Sequence, residues 1–248
     1  MTKRVAFVTG GNGGIGSAIC CELANQGHAV VAGYFPPEKE SAEAWQKEMH
    51  DKGFSIGLAP VDVASFADCE RAVATISEEF GSVDILVNCA GITRDGTLKK
   101  MSEDNWRAVI ATNMDSAFNV TRHVINGMLE KGWGRIVNIA SVNGQRGQFG
   151  QANYSAAKAG MHGFTMAVAL ETAAKGITVN TVSPGYIATA MTQAMPENVL
   201  ESIVNSVPMR RMGTPEEIAN AVAWLASEGN GYTTGANIPV NGGLFTSH

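Results

Sequence analysis

Tyr154-Ser-Ala-Ala-Lys158 sets a phenol four residues before an amine, and this pairing could do chemistry. A tyrosine has an unperturbed pKa of about 10, so it exchanges protons poorly near neutrality without help. On a helix, the four-residue spacing sets the ammonium beside the phenol on one face. A positive neighbour favours the phenolate, so the expectation is a lowered tyrosine pKa and a working acid–base group. Ser141 ends the apolar run Arg135-Ile-Val-Asn-Ile-Ala140, which reads as a strand. A hydroxyl at that carboxyl end would hydrogen-bond a substrate carbonyl oxygen while Tyr154 delivers the proton.

The amino-terminal segment Arg4-Val-Ala-Phe-Val-Thr9 runs from an apolar strand into a glycine-rich turn and then a helical pattern. Gly10, Asn12, Gly13, Gly14, Ile15 and Gly16 are the candidate residues for holding a pyrophosphate. Glycines let the backbone approach closely, and a helix amino terminus offers unpaired N–H groups and a favourable dipole. The order Gly-x-x-x-Gly-x-Gly departs from the Gly-x-Gly-x-x-Gly dinucleotide fingerprint, and a plain flexible turn is the competing reading. No Gly-Lys-Ser/Thr follows, which argues against a P-loop. After the second strand (Ala29-Val-Val-Ala-Gly33) comes Tyr34-Phe-Pro-Pro-Glu-Lys-Glu40. The strand end therefore lacks an acid for a ribose 2′-hydroxyl. The one basic candidate for a 2′-phosphate, Lys39, is flanked by Glu38 and Glu40, which offset its charge. NADH and NADPH are both expected to serve, with NADH at least competitive.

The elements that must position these groups alternate along the whole chain. Strand-like runs occur near 4–9, 29–33, 54–61, 83–88, 134–140, 177–182 and 236–240, with helical stretches such as 14–26, 40–52, 65–80, 102–130 and 152–174 between them. Such alternation predicts a single-domain α/β fold: a doubly wound, Rossmann-type parallel sheet of about seven strands with helices on both faces. The stretch from Pro184 to Arg211, with Pro196 and Pro208, breaks the alternation and reads as a substrate-covering lobe around 186–211. A chain that is 45% hydrophobic and 17% charged suits one large core, and a net charge of −5 argues against a nucleic-acid footprint. Four cysteines, Cys20 and Cys21 adjacent, match neither metal spacing nor a disulfide framework, so no metal site is expected. With no signal-peptide pattern and no run of 18 apolar residues, the expectation is a cytoplasmic protein without a membrane partner.

Thr9-Gly-x-x-x-Gly-x-Gly16, Asn88-Cys-Ala-Gly91, Asn113, Ser141, Tyr154-x-x-x-Lys158 and Pro184-Gly185 stand in the order of the short-chain dehydrogenase/reductase family. The chain resembles that family over essentially its full length. Gly91-Ile-Thr-Arg-Asp95, Gly132-Trp-Gly-Arg-Ile-Val-Asn138 and Gln145 to Gln151 look more narrowly like the branch that reduces short 3-oxoacyl-CoA thioesters, the acetoacetyl-CoA reductases of polyhydroxybutyrate synthesis. The first two blocks are shared with the 3-oxoacyl-carrier-protein reductases of fatty-acid synthesis, which form the alternative. A non-catalytic nucleotide-sensing protein on the same fold is a remote third reading, opposed by the intact Ser141, Asn113, Tyr154 and Lys158 set.

The resemblance implies NAD(P)H-dependent reduction of acetoacetyl-CoA to an (R)-3-hydroxyacyl-CoA. It assigns Asn113, Ser141, Tyr154 and Lys158 to catalysis, with Asn113 holding a water near Lys158; a surface asparagine is the competing reading of Asn113. It also implies that Asp62 and Val63 meet the adenine and that Asn88, Ala90 and Gly91 line the cofactor. Tyr154 and Lys158 reach the nicotinamide ribose, and Pro184, Gly185, Ile187 and Thr189 hold the carboxamide. For Asp62 a helix-capping role competes. Cys89 replaces the family's second asparagine. Asp95, Ser141, Gln148, Phe149, Gln151, Tyr154, Gly185 and Tyr186 resemble substrate-contacting positions. Lys99, Lys100 and Arg146 could meet CoA phosphates or remain solvated, and His162 reads as a packing or interface histidine. Family membership further implies a homotetramer.

Overall fold

A computed structural model of the chain describes residues 3–189, 192 and 196–246. Seven parallel strands form one sheet: β1 (Val5–Thr9), β2 (Ala29–Tyr34), β3 (Ile56–Pro60), β4 (Ile85–Asn88), β5 (Gly134–Ile139), β6 (Ile177–Pro184) and β7 (Asn237–Val240), in the order β3-β2-β1-β4-β5-β6-β7. The described helices are α1 (Gly14–Asn25), α2 (Lys39–Asp51), α3 (Phe66–Phe80), α4 (Glu103–Ile110), α5 (Ser116–Lys131), α6 (Val142–Arg146), α7 (Ala152–Thr172), α8 (Glu197–Ser206) and α9 (Pro215–Ala226).

The strands read as continuous apolar runs because both faces of the sheet are covered. Along β1, alternate side chains enter opposite cores. Ala6 and Val8 pack with Ile19 and Leu23 of α1 and with Ile218, Val222 and Leu225 of α9. Val5 and Phe7 pack with Val73 and Ile76 of α3 and with Val120, Val124 and Met128 of α5. Helix starts follow side-chain capping: Ser65 caps α3, Ser102 caps α4, and Thr214 with Glu217 forms a reciprocal capping box on α9.

Chain order reverses at β1, which pairs with β2 on one side and β4 on the other. The carboxyl ends of β1 and β4 thus border the crevice where open α/β sheets take ligands. Thr9 bridges it: its hydroxyl accepts from the Cys89 and Ala90 amides (3.0 and 3.1 Å) and fixes the loop after β4.

Two features depart from the sequence expectation. The helix expected over 102–130 is interrupted by a π turn at Ala111–Asp115 between α4 and α5. The stretch 184–211 carries a regular helix, α8, while residues 190, 191 and 193–195 of the expected lobe lie outside the described residues. Among the described residues, no helix is long and apolar enough to cross a membrane.

Candidate active site

The glycine turn wraps the start of α1. Gly10 takes a left-handed φ of +63°, and a Cβ at Gly16 would overlap the Gly10 carbonyl oxygen, so α1 can press against the turn only with glycine there. Among the described residues the first N–H groups of α1 have no capping partner: Gly13 at the N-cap has no capping side chain, and no acidic residue occupies the first turn. An uncapped amino terminus with free N–H groups fits an anionic pyrophosphate. Asn12 and Ile15 are partly exposed beside it, and a Cβ on Gly14 would meet Thr189 Cγ2 at 2.9 Å. Thr189 therefore covers this helix start from the β6 side.

At the end of β2, Tyr34 is buried, and the next acid, Glu38, comes only after Phe35-Pro-Pro37. Lys39 is the first residue of α2, exposed, and paired with Glu43 at 3.7 Å. Asp62 turns back on its own chain, accepting from the Ala64 amide at 3.0 Å, while Ser65 caps the next helix. Val63 is buried, its carbonyl accepting from Asn119. Asn88 points into the sheet, donating to Asn138 Oδ1 at 2.8 Å and to Thr121. Pro184 ends β6, Gly185 donates to the Val240 carbonyl, and Ile187 is buried.

Ser141, Tyr154, Lys158 and Asn113 converge beyond β4 and β5. Ser141 caps the short helix α6, its Oγ accepting from the Asn143 amide at 3.1 Å, and it hydrogen-bonds the Tyr154 side chain. Lys158 is only 3% exposed; its Nζ donates to the Ile139 carbonyl at 2.7 Å and lies 5.7 Å from the centre of the Tyr154 ring. Asn113 is fully buried in the π turn, which removes the surface reading. Its Nδ2 donates to the carbonyls of Ile92 and Val109 (2.8 and 2.9 Å), and its Oδ1 has no protein partner. Gly91 is the close-approach point: a Cβ there would lie 2.5 Å from that Oδ1.

The electrostatics correct one expectation. Burial raises the Tyr154 pKa above its ordinary value; the Ser141 hydrogen bond opposes this, and Cys89 and Asp95 add to it. The predicted lowering by Lys158 is not seen: burial dominates, and the Lys158 Nζ bonds the Ile139 carbonyl, 5.7 Å from the centre of the Tyr154 ring. Burial also lowers Lys158 itself to about 8, with the Cys89 thiol opposing. Loss of solvation also pushes Cys89, partly buried beside it, up to about 11.

Of the expected substrate wall, Asp95 and Gln151 meet: Gln151 Nε2 donates to Asp95 Oδ2 at 2.9 Å, while its Oε1 accepts from Asn143 Nδ2 at 2.9 Å. Gln148 and Phe149 lie apart from this contact, exposed on the α6–α7 loop, Phe149 by 88%. Tyr186 is half-buried at the start of the stretch after β6. Lys99, Lys100 and Arg146 are exposed, and His162 is half-buried with its Nε2 unpartnered. Sequence reading passed over Asn143 and Asn153. For Asn153 the signal lay in residue type, since asparagine beside a helix start favours side-chain-to-backbone bonds, whereas Asn143 bonds the Gln151 side chain and carried no such signal.

Comparison with known proteins extends this picture. A family profile described as enoyl-(acyl carrier protein) reductase matches residues 10–245. The chain is 62% identical over 242 residues to a protein of Allochromatium vinosum named acetoacetyl-CoA reductase, covering 98% of each chain. It is 55% identical over 244 residues to one of the same name from Cupriavidus necator, covering 98% of this chain and 99% of that one. It is 44% identical over 247 residues, the full length of both, to a 3-oxoacyl-[acyl-carrier-protein] reductase of Haemophilus influenzae.

Proposed function

Because the chain belongs to the short-chain dehydrogenase/reductase family, oxidoreductases that work with a nicotinamide cofactor, we propose that it reduces acetoacetyl-CoA and similar short 3-oxoacyl-CoA thioesters to (R)-3-hydroxyacyl-CoA. The observation that carries this reading is the cluster of buried Ser141, Lys158 and Asn113 around the partly buried Tyr154 at the mouth of the β1/β4 crevice. The CoA thioester is preferred over a carrier-protein thioester because relatives named for the former are 62% and 55% identical, against 44% for the latter. The polar Asp95–Gln151–Asn143 wall also leaves little apolar lining for a long chain.

The hydride for the 3-keto carbon would come from the nicotinamide of a cofactor bound along the glycine turn. Ser141 orients and polarises the keto oxygen. Tyr154 gives its phenolic proton to the alkoxide oxygen, as a reductase needs. Lys158, poised near pH 8, returns a proton to the phenolate. Asn113, with an open Oδ1 acceptor, holds a water that links this group to solvent.

The cofactor would lie along Gly10–Gly16, with Asp62 and Val63 at the adenine and Asn88, Ala90 and Gly91 below it. Lys158 and Tyr154 would hold the ribose, and Pro184, Gly185, Ile187 and Thr189 the carboxamide. The lack of an acid at the end of β2 itself and the Lys39–Glu43 pairing support use of both NADH and NADPH. We read the chain as one domain with a substrate-covering lobe around 186–211. A cytoplasmic homotetramer fits the exposed apolar residues Phe118 of α5 and Met166 and Leu170 of α7.

The test is kcat/KM of the purified protein with acetoacetyl-CoA and with acetoacetyl carrier protein, each with NADH and NADPH. The expected result is higher kcat/KM on the CoA thioester and values within about tenfold between cofactors. Equal or higher kcat/KM on the carrier protein would move the reading to fatty-acid synthesis. A hundredfold preference for NADPH, about 2.7 kcal/mol, would show that the 2′-phosphate is gripped after all.

A further inference from the structure

Asn153 lies one residue before Tyr154 and is fully buried, although it is a neutral polar residue in the first turn of a helix. A buried amide must find partners for its two hydrogens and its oxygen, and this one finds three, on three segments. Its Oδ1 accepts from the Tyr154 amide at 2.8 Å. Its Nδ2 donates to the Arg94 carbonyl in the loop after β4 at 3.0 Å and to the Asn105 carbonyl of α4 at 3.3 Å. The residue at the ordinary capping position of α7, Gln151, makes no capping bond, because its side chain is drawn off to Asp95 and Asn143. The first turn of α7 is therefore held from within, by a side chain whose other end is anchored in the loop that carries Asp95.

We propose that Asn153 is a positioning residue for the reduction: it locks the first turn of α7, and with it Tyr154, to the 91–95 loop, so that proton donor and substrate wall keep one fixed spacing. The inference rests on the proposed role of Tyr154. A misplacement of about 1 Å at a reacting group can cost on the order of a hundredfold in rate. The groups assigned to the cofactor's phosphates lie on the glycine turn and the start of α1, away from Asn153, and only the contacts of Tyr154 and Gly91 move with the segments it locks, so cofactor affinity should change far less than kcat.

The experiment compares the full-length protein with Asn153→Ala, which removes all three bonds, and Asn153→Asp. The aspartate keeps the acceptor for the Tyr154 amide and removes the amide donor that two carbonyls need. Both variants are expected to lose at least tenfold in kcat while the dissociation constant for NADH or NADPH moves less than threefold. Amide hydrogen exchange is expected to quicken together in residues 91–95 and 152–156. A kcat within twofold of the parent in either variant would overturn the proposal. So would an equal weakening of cofactor binding, or faster exchange confined to 152–156. If neither variant unfolds cooperatively, Asn153 holds up the fold rather than the site, and the proposal fails. Should the parent reduce no 3-oxoacyl thioester at all, the proposed substrate is wrong, and the joint exchange of the two segments still decides the positioning claim.

Discussion

Lys158 should destabilise the protein it serves. In the folded chain the side chain is 3% exposed and its pKa falls from 10.5 to about 8, chiefly through burial. At about 1.4 kcal/mol per pH unit, that fall corresponds to about 3 kcal/mol. The sign follows from proton counts: between pH 8 and 10.5 the unfolded chain binds more protons than the folded one, so stability rises with pH across that window. Below pH 8 the burial penalty is present in full, and above 10.5 it is gone. Lys158→Met keeps the length and apolar stem and removes the charge. It also leaves the Ile139 carbonyl without its 2.7 Å donor, a pH-independent loss of about 1 kcal/mol. The variant should therefore be more stable than the cofactor-free parent by about 2 kcal/mol at pH 7 and less stable by about 1 kcal/mol near pH 10.5. For a chain of this size 1 kcal/mol moves the melting temperature by roughly 2–4 °C, so about 4–8 °C should be gained at pH 7, with the order reversed at high pH. Thermal unfolding of both proteins at equal concentration across pH 7 to 10.5 makes the comparison. A difference that stays constant with pH would refute the argument, whatever happens to activity.

Three further outcomes are expected. Tyr154→Phe should cut kcat by about 10²–10⁴-fold with cofactor affinity, read by nicotinamide fluorescence, nearly unchanged; a loss below tenfold in a folded variant would remove Tyr154 as the proton donor. Gln151→Ala leaves Asp95 and Asn143 without their shared partner and should lower kcat/KM for acetoacetyl-CoA by about tenfold, on the order of 1–3 kcal/mol; unchanged steady-state kinetics would take Gln151 out of the substrate wall. Gly91→Ala puts a Cβ 2.5 Å from Asn113 Oδ1. It should lower kcat by tenfold or more while the melting temperature falls only a few degrees, and parental kcat would show that this approach is not used in turnover.

Much of this was legible in the residues. The seven strands sit close to their apolar runs because a sheet covered on both faces demands continuous hydrophobic stretches, and Val5–Thr9 shows it, every residue but its end packed in a core. The glycine turn was legible because backbone contact at Gly16 leaves no room for any other residue. Helix α9 carried a readable start, Thr214-Pro-Glu-Glu217, that the alternation argument passed over. What the sequence hid is what depends on direction. The spacing of Tyr154 and Lys158 predicts neighbours on a helix, but not that the amine bends to a strand carbonyl and stays 5.7 Å from the centre of the ring. Nor does residue type tell that Gln151 leaves the α7 cap to Asn153, since that choice is made by Asp95, 56 positions away.

The π turn at Ala111–Asp115 has a consequence for anyone who edits this chain. Each residue of a regular helix advances the azimuth by about 100°, and a π turn is in effect one extra residue spliced into the spiral. It therefore works as a phase shifter, dividing the rod into two halves whose stripes are out of step. The stripe on α5 that presents Val120, Val124 and Met128 to the sheet and the stripe on α4 that buries Val109 are both served only because the splice absorbs the mismatch. Deleting a single residue between 111 and 115 would take the splice out and let the rod close into a regular α-helix with both stripes still in place, but at the cost of the wide turn that holds Asn113 on its anchor at Ile92, whereas the same deletion inside α4 or α5 would rotate a stripe by over a quarter of a turn. In this segment, length carries information that residue identity does not.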